Sequence, residues 1–119
     1  VINVSSPNTP GLRALQEKGY LKELFSELNK TRGKKDLYLK IAPDLELDKI
    51  KELTELCREY KLTGLIATNT TIMPDRGAGG ISGVLLREKA KTVREFILKD
   101  KGNLELISVG GITTPDDIF

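Results

Sequence analysis

A chain of 119 residues builds one modest hydrophobic core and is too short for two separate ones. With 39% hydrophobic and 30% charged residues its balance is globular rather than disordered, and a net charge of +2 is too small to argue for a nucleic-acid partner or an acidic membrane surface. Histidine is absent, which removes Ser-His-Asp triads, histidine metal sites and imidazole acid/base chemistry together, and the single cysteine, Cys57, makes neither an internal disulfide nor a zinc site.

Val1, Ile2 and Val4 form a short apolar run that reads as the end of a strand. It leads into Ser5-Ser6-Pro7-Asn8-Thr9-Pro10-Gly11-Leu12-Arg13. Pro7 and Pro10 supply no backbone donor and fix their own φ, so this stretch is a rigid loop. Two readings fit it: an ordinary turn rich in turn residues, or a ligand site whose amides and hydroxyls satisfy a flat polar molecule. Leu21, Leu24, Phe25 and Leu28 then recur at helical spacing within Tyr20–Asn29, and Gly33 in the basic run Lys30–Lys35 stops the helix. That run reads as a solvated loop more readily than as a phosphate patch.

Leu37 to Ala42 reads as a buried strand interrupted by Lys40 and closed by Pro43. An ammonium in an apolar strand is costly unless a polar or anionic group meets it, or unless the strand alternates and turns Lys40 to water. A helix follows over about Glu46–Tyr60, with Ile50, Leu53 and Cys57 on one face, which makes Cys57 a small core residue rather than a nucleophile. The next strand, Leu62 to Ala67, runs into Thr68-Asn69-Thr70-Thr71. After the glycine-rich connection Pro74–Gly83, Leu85–Lys99 reads as a helix with Val93, Phe96 and Ile97 inside. Leu104–Val109 forms a fourth strand that exits into Gly110-Gly111, and Thr113–Asp117 has the form of a helix start.

Strands and helices alternate with no hairpin signal, which predicts right-handed crossovers and a parallel sheet. The polar and glycine-rich residues all follow strands, at the end where parallel α/β folds place their sites. A closed (β/α)8 barrel takes about 250 residues, so four units amount to roughly half of one; an open flavodoxin-like sheet is the alternative. Gly79, Gly80, Gly83, Gly110 and Gly111 offer unobstructed backbone N–H groups of the kind that grip phosphate. Lys40 could stabilise developing negative charge, and Asn3, Ser6, Asn8, Asn69 and Thr70 could bind a small planar heterocycle.

Five stretches, Asn3–Arg13, Lys40–Leu45, Ala67–Thr71, Gly79–Gly83 and Val109–Ile112, resemble successive motifs of class 2 dihydroorotate dehydrogenase, the quinone-linked enzyme of pyrimidine synthesis. The resemblance implies that residues 1–119 are part of an FMN-binding (β/α)8 TIM barrel, covering its fourth to seventh strands. It implies oxidation of dihydroorotate to orotate, with a proton leaving C5, a hydride passing from C6 to the flavin, and a quinone as final acceptor. By the same resemblance Ser6 is the catalytic base, where class 1 relatives have cysteine. Asn3, Lys40, Thr68, Gly83 and Gly111 are cofactor contacts, Lys40 serving the charge near flavin N1 and O2 and the two glycines the phosphate. Asn3, Val4, Ser5, Ser6, Pro7, Asn8, Asn69 and Thr70 are the substrate contacts. No metal is implied. The resemblance further implies a parent protein associated with the mitochondrial inner or bacterial cytoplasmic membrane through a region outside this chain, and a segment that is inactive alone. The segment Ile72–Ala78 is shorter than the family's usual excursion. Two other readings stand beside it: a class 1 or dihydropyrimidine-dehydrogenase-like flavoprotein, and a non-catalytic α/β domain that binds a phosphate ligand.

Overall fold

The computed structural model describes residues 1–118. Four strands, β1 (Ile2–Asn3), β2 (Tyr38–Ile41), β3 (Gly64–Ala67) and β4 (Glu105–Ser108), form one parallel sheet whose spatial order is the chain order. Three helices connect them: α1 (Lys18–Thr31), α2 (Leu47–Glu59) and α3 (Arg87–Asp100). An open flavodoxin-like sheet reverses its strand order beside the first strand. Here the order never reverses, so every right-handed crossover lays its helix on the same side, as in a barrel. A single apolar cluster confirms this. Leu21 and Phe25 of α1, Ile50, Leu53, Leu56 and Cys57 of α2, and Val93 and Ile97 of α3 all pack on Ile2, Leu39, Ile41, Leu65 and Ala67 of the sheet. The chain is therefore α/β with the topology of part of a (β/α)8 barrel.

Register sorts the side chains into rows. Ile2, Leu39, Leu65 and Leu106 share one row facing the helices, whereas Asn3, Lys40, Ile66 and Ile107 share the next, on the opposite face. The lysine in β2 thus follows from simple alternation: Leu39 and Ile41 are buried, Tyr38 and Lys40 half-buried. β2 is shorter than its apolar run because the backbone donors at both its ends go elsewhere. The Leu37 N–H bonds Thr63 Oγ1 and the Ala42 N–H bonds Gln16 Oε1. α3 begins at Arg87, two residues later than the expected Leu85, because Gly83–Leu86 forms a 3₁₀ turn before it. Thr114 and Asp117 close a capping box around a single 3₁₀ turn, Pro115–Asp117. The backbone N–H groups of Thr113 and Thr114 hold the Asp117 carboxyl down to about 2. Burial pushes the Cys57 thiol up to about 12, as expected of a core residue.

At the N-terminal end of the sheet, Gly64 lies between Tyr38 and Glu105 in one row. With no side chain between them, the Tyr38 hydroxyl donates to Glu105 Oε2 at 2.5 Å, which pushes the phenol up to about 12. A Cβ at Gly64 would stand 2.2 Å from the Glu105 carbonyl oxygen. Gly64→Ala is therefore expected to force β3 and β4 apart, at a cost of about 1–3 kcal/mol, seen as a lower urea midpoint at constant slope. Gly19→Ala in α1, where a Cβ meets nothing within 4 Å, should instead be neutral or stabilising.

Candidate functional site

The C-terminal tips of the four strands hold most of the chemistry. β1 ends at Asn3, whose side-chain oxygen accepts the Ser5 hydroxyl at 3.0 Å and the Asn69 amide at 3.3 Å; the same amide donates to Ser5 Oγ at 3.0 Å. This triangle ties the tip of β1 to the tip of β3. Backbone bonds fix the β3 tip from both sides: the Thr68 N–H donates to Val109 O at 2.7 Å and the Asn69 N–H to Ile41 O at 2.8 Å. The Ala67–Thr68 peptide, which carries the first of these donors, is cis. Asn69 Oδ1 in turn accepts the Thr70 N–H at 2.8 Å. An amide held at both ends has its orientation set before any ligand arrives.

Ser5 is wholly buried and occupied in the triangle. Ser6 is half-buried, and its Oγ accepts the Asn8 N–H at 3.2 Å, closing a short turn that leaves the hydroxyl proton free to donate. The two serines therefore differ in their bonds: the Ser5 hydroxyl is engaged on both sides, whereas Ser6 Oγ accepts the Asn8 N–H alone. Lys40 stands beside Asn3 in the row on the open face. Val4 is buried in the apolar core, so only its backbone can face a ligand.

On the other flank, Gly110 and Gly111 have φ of +99° and +74°. Added Cβ atoms would come within 2.7 Å of Leu86 and 2.4 Å of Arg87 Cα respectively, so the loop is pressed against the start of α3 as only glycine allows. Gly110 also lies against Thr68, whose oxygens would stand 3.6 Å from such a Cβ. Gly83, at φ +67°, opens the 3₁₀ turn that leads into α3 on this flank. Arg94 reaches back from α3, 7% exposed, and donates to the carbonyls of Val109 and Gly110 at 3.3 and 3.1 Å. Gly79 and Gly80 sit elsewhere. A Cβ on Gly80 would overlap Thr70 and reach Pro7 Cγ at 3.2 Å, and one on Gly79 would reach Asn8 Oδ1 at 3.8 Å. These two glycines allow a close approach of three loops on the Ser6 side.

The structure thus gathers Asn3, Ser5, Ser6, Pro7, Asn8, Asn69 and Thr70 on one side and Thr68, Gly110 and Gly111 on the other, with Lys40 beside Asn3 in its row. Sequence reading missed the groups that brace them, Arg13, Asp44, Lys89 and Arg94. The basic run Lys30–Lys35 lies at the far end of the sheet, where Arg32 bonds the Lys61 carbonyl at 2.7 Å. A groove of about 430 Å³ lined by Arg58, Lys61, Leu62 and Gly102–Leu104 is also at that far end. Among the described residues no helix is long and apolar enough to cross a membrane, and no acidic, cysteine or histidine cluster could hold a metal ion.

A family model described as dihydroorotate dehydrogenase matches residues 1–119. The chain is 42% identical over 136 residues to a dihydroorotate dehydrogenase (quinone) of Trichormus variabilis, covering all of this chain and 36% of that protein. A protein of the same description from Rippkaea orientalis is 45% identical over 136 residues, with the same coverage, and one from Thermus thermophilus is 44% identical over 126 residues, again with 100% and 36% covered. Among solved structures, the Eimeria tenella enzyme in complex with ferulenol superposes with a TM-score of 0.88 at 30% identity, over 98% of this chain and 39% of that one. Its ligand-free form gives 0.83 at 33% identity, over 98% and 40%. The chain spans about a third of the length of these curated relatives. On the whole-chain family match, these identities and the shared fold, the chain belongs to the dihydroorotate dehydrogenase family.

Proposed function

We propose that this segment forms the substrate side of an FMN-dependent, quinone-linked dihydroorotate dehydrogenase of pyrimidine synthesis, within a protein that associates with a membrane through a region outside this chain. The observation that carries the reading is the linkage of the β1 and β3 tips: Asn3, Ser5 and Asn69 form one hydrogen-bonded unit with Ser6 at its margin and Lys40 beside it. Its other parts fit a flavin. Thr68 Oγ1 is buried with no hydrogen-bond partner, the condition of a hydroxyl kept for a ligand atom, and it lies against the Gly110-Gly111 loop. Bound FMN would supply the acceptor for a hydride leaving substrate C6.

The chain's own residues do the rest. Ser6 takes the proton from C5; a serine hydroxyl is a weak base, so its own proton must be relayed onward, through a water or a threonine side chain. Asn3, Asn8, Asn69 and Thr70 satisfy the donors and acceptors on the edges of the pyrimidine ring, with the backbone of Val4 and the side chains of Ser5 and Pro7 shaping the loop between them. Asn3, Lys40 and Thr68 would hold the flavin ring, and the Lys40 ammonium would favour negative charge on it when reduced. Gly83 and Gly111 would offer backbone N–H groups to the phosphate, and Arg94 holds the Val109 and Gly110 carbonyls of the same loop by hydrogen bonds. Serine rather than cysteine at position 6 favours the quinone-linked class, as do the names of the relatives.

The test is anaerobic mixing of dihydroorotate with a chain of the relatives' full length that carries this segment, loaded with FMN. Bleaching of the flavin followed by its recolouring on addition of a quinone is the expected result. A flavin that stays oxidised with dihydroorotate present would overturn the reading.

A further inference from the structure

We propose that Arg13 is a positioning residue that sets the Ser6 loop against the Thr70 loop; the inference rests on the function proposed above. Arg13 lies in a 3₁₀ turn, Leu12–Gln16, at the end of the β1 loop. Its guanidinium divides its donors among three strand tips. Nε donates to the Ser5 carbonyl at 2.9 Å, Nη1 to Asp44 Oδ2 at 2.9 Å and Nη2 to the Thr70 carbonyl at 2.8 Å. The first bond fixes the peptide that carries Ser6. The third fixes the peptide next to it across the pocket, and the second anchors both to the loop after β2.

The anchor is itself held. Asp44 Oδ1 accepts Lys89 Nζ of α3 at 2.8 Å and also the hydroxyl of Thr71, a residue wholly buried and bridged to Ile81. Partial burial pushes the Asp44 carboxyl up, but the hydrogen bonds from Lys89, Thr71 and Arg13 outweigh it and hold it below the usual carboxylate range. Behind Arg13, the side chain of Gln16 is buried, donates to the Arg13 carbonyl at 3.3 Å and accepts the Ala42 N–H at 3.3 Å. The turn that presents the guanidinium is therefore fixed from both sides.

Only a planar fork with donors in three directions makes all three bonds at once, so lysine cannot replace it fully. Nothing else among the described side chains links the Ser5 and Thr70 carbonyls. The Asn3–Ser5–Asn69 triangle ties the side chains of the two tips, and Arg13 adds the link between their backbone carbonyls. Without it the Ser6 and Thr70 peptides lose one of two tethers, and a displacement of about 1 Å between reacting groups costs on the order of 10²-fold in rate.

The experiment uses the same full-length, FMN-loaded chain with Arg13→Gln, Arg13→Lys and Asp44→Asn. At saturating dihydroorotate, flavin reduction should slow about 10- to 100-fold in Arg13→Gln, with Arg13→Lys between it and the parent and Asp44→Asn slowed less, while reoxidation by quinone keeps its rate. Amide hydrogen exchange within residues 5–12 and 69–72 should quicken about tenfold in Arg13→Gln with α2 unchanged. Equal exchange in these segments overturns the proposal whether or not dihydroorotate is oxidised, and failure of the parent chain to be reduced overturns the proposed function instead. If Arg13→Gln does not fold, Asp44→Asn decides: a slower reductive step with unaltered reoxidation supports the positioning role, and a parental reductive rate ends it.

Discussion

Ser6→Ala in a full-length, FMN-loaded chain is expected to slow flavin reduction by dihydroorotate about 10²- to 10⁴-fold while the flavin stays bound, as read by stopped-flow absorbance. The expectation rests on the division of labour between the two adjacent serines. Ser5 is buried, donates to Asn3 Oδ1 and accepts from Asn69, so its hydroxyl is committed to orientation. Ser6 accepts one backbone N–H and keeps its proton available, which is what a group exchanging a proton with substrate needs. Because a serine hydroxyl ionises only far above neutral pH, the reductive rate of the parent should rise with pH as the relay beyond Ser6 loses its proton more readily. Ser6→Cys, whose thiol ionises near 8.5, should retain more of the rate than Ser6→Ala. Loss of FMN from Ser6→Ala with the chemistry intact would reverse the assignment and make Ser6 a cofactor contact.

Much of this architecture was open to reading from the sequence because it depends on local rules. Period-2 alternation in Tyr38-Leu39-Lys40-Ile41 is enough to put Lys40 opposite the helices once β2 is known to be covered on one side. The prolines and glycines after each strand mark the loops, and strand–helix alternation gives the parallel sheet. The unreversed strand order that separates a barrel from an open sheet is visible only in the strand pairing. What the sequence hid was pairing at a distance. Arg13 and Asp44 are 31 residues apart, and each sits inside a motif with a ready local explanation, a turn for one and a strand end for the other. Gly80 looks in sequence like a phosphate-loop glycine, and Gly64 like an ordinary residue of a strand. Their reason, the close approach of Glu105 to one and of Thr70 and Pro7 to the other, exists only after the strands are in register. The signal that could have found Arg13 is its own cost: a long charged side chain closing a rigid, otherwise neutral loop needs a buried or carbonyl-rich destination.

Lys40→Met should lower the rate of flavin reduction by about 10²-fold and leave the fold intact, because methionine keeps the apolar stem and removes the charge. In its row Lys40 has Asn3 on one side and Ile66 on the other, and none of the ion pairs among the described residues involves it. An ammonium half-buried between an amide and an isoleucine gains little in the chain by itself; under the proposed function its value would come when the neighbouring flavin becomes negative. A charge-assisted hydrogen bond of about 1.5–3 kcal/mol to the reduced flavin corresponds to a two-electron potential about 30–60 mV more negative once the ammonium is gone. A spectroelectrochemical titration of the two proteins measures that shift directly and separately from the rate. A potential that does not move would place the Lys40 ammonium in water, away from the flavin, and would leave Asn3 and Thr68 as the ring contacts on this part of the sheet.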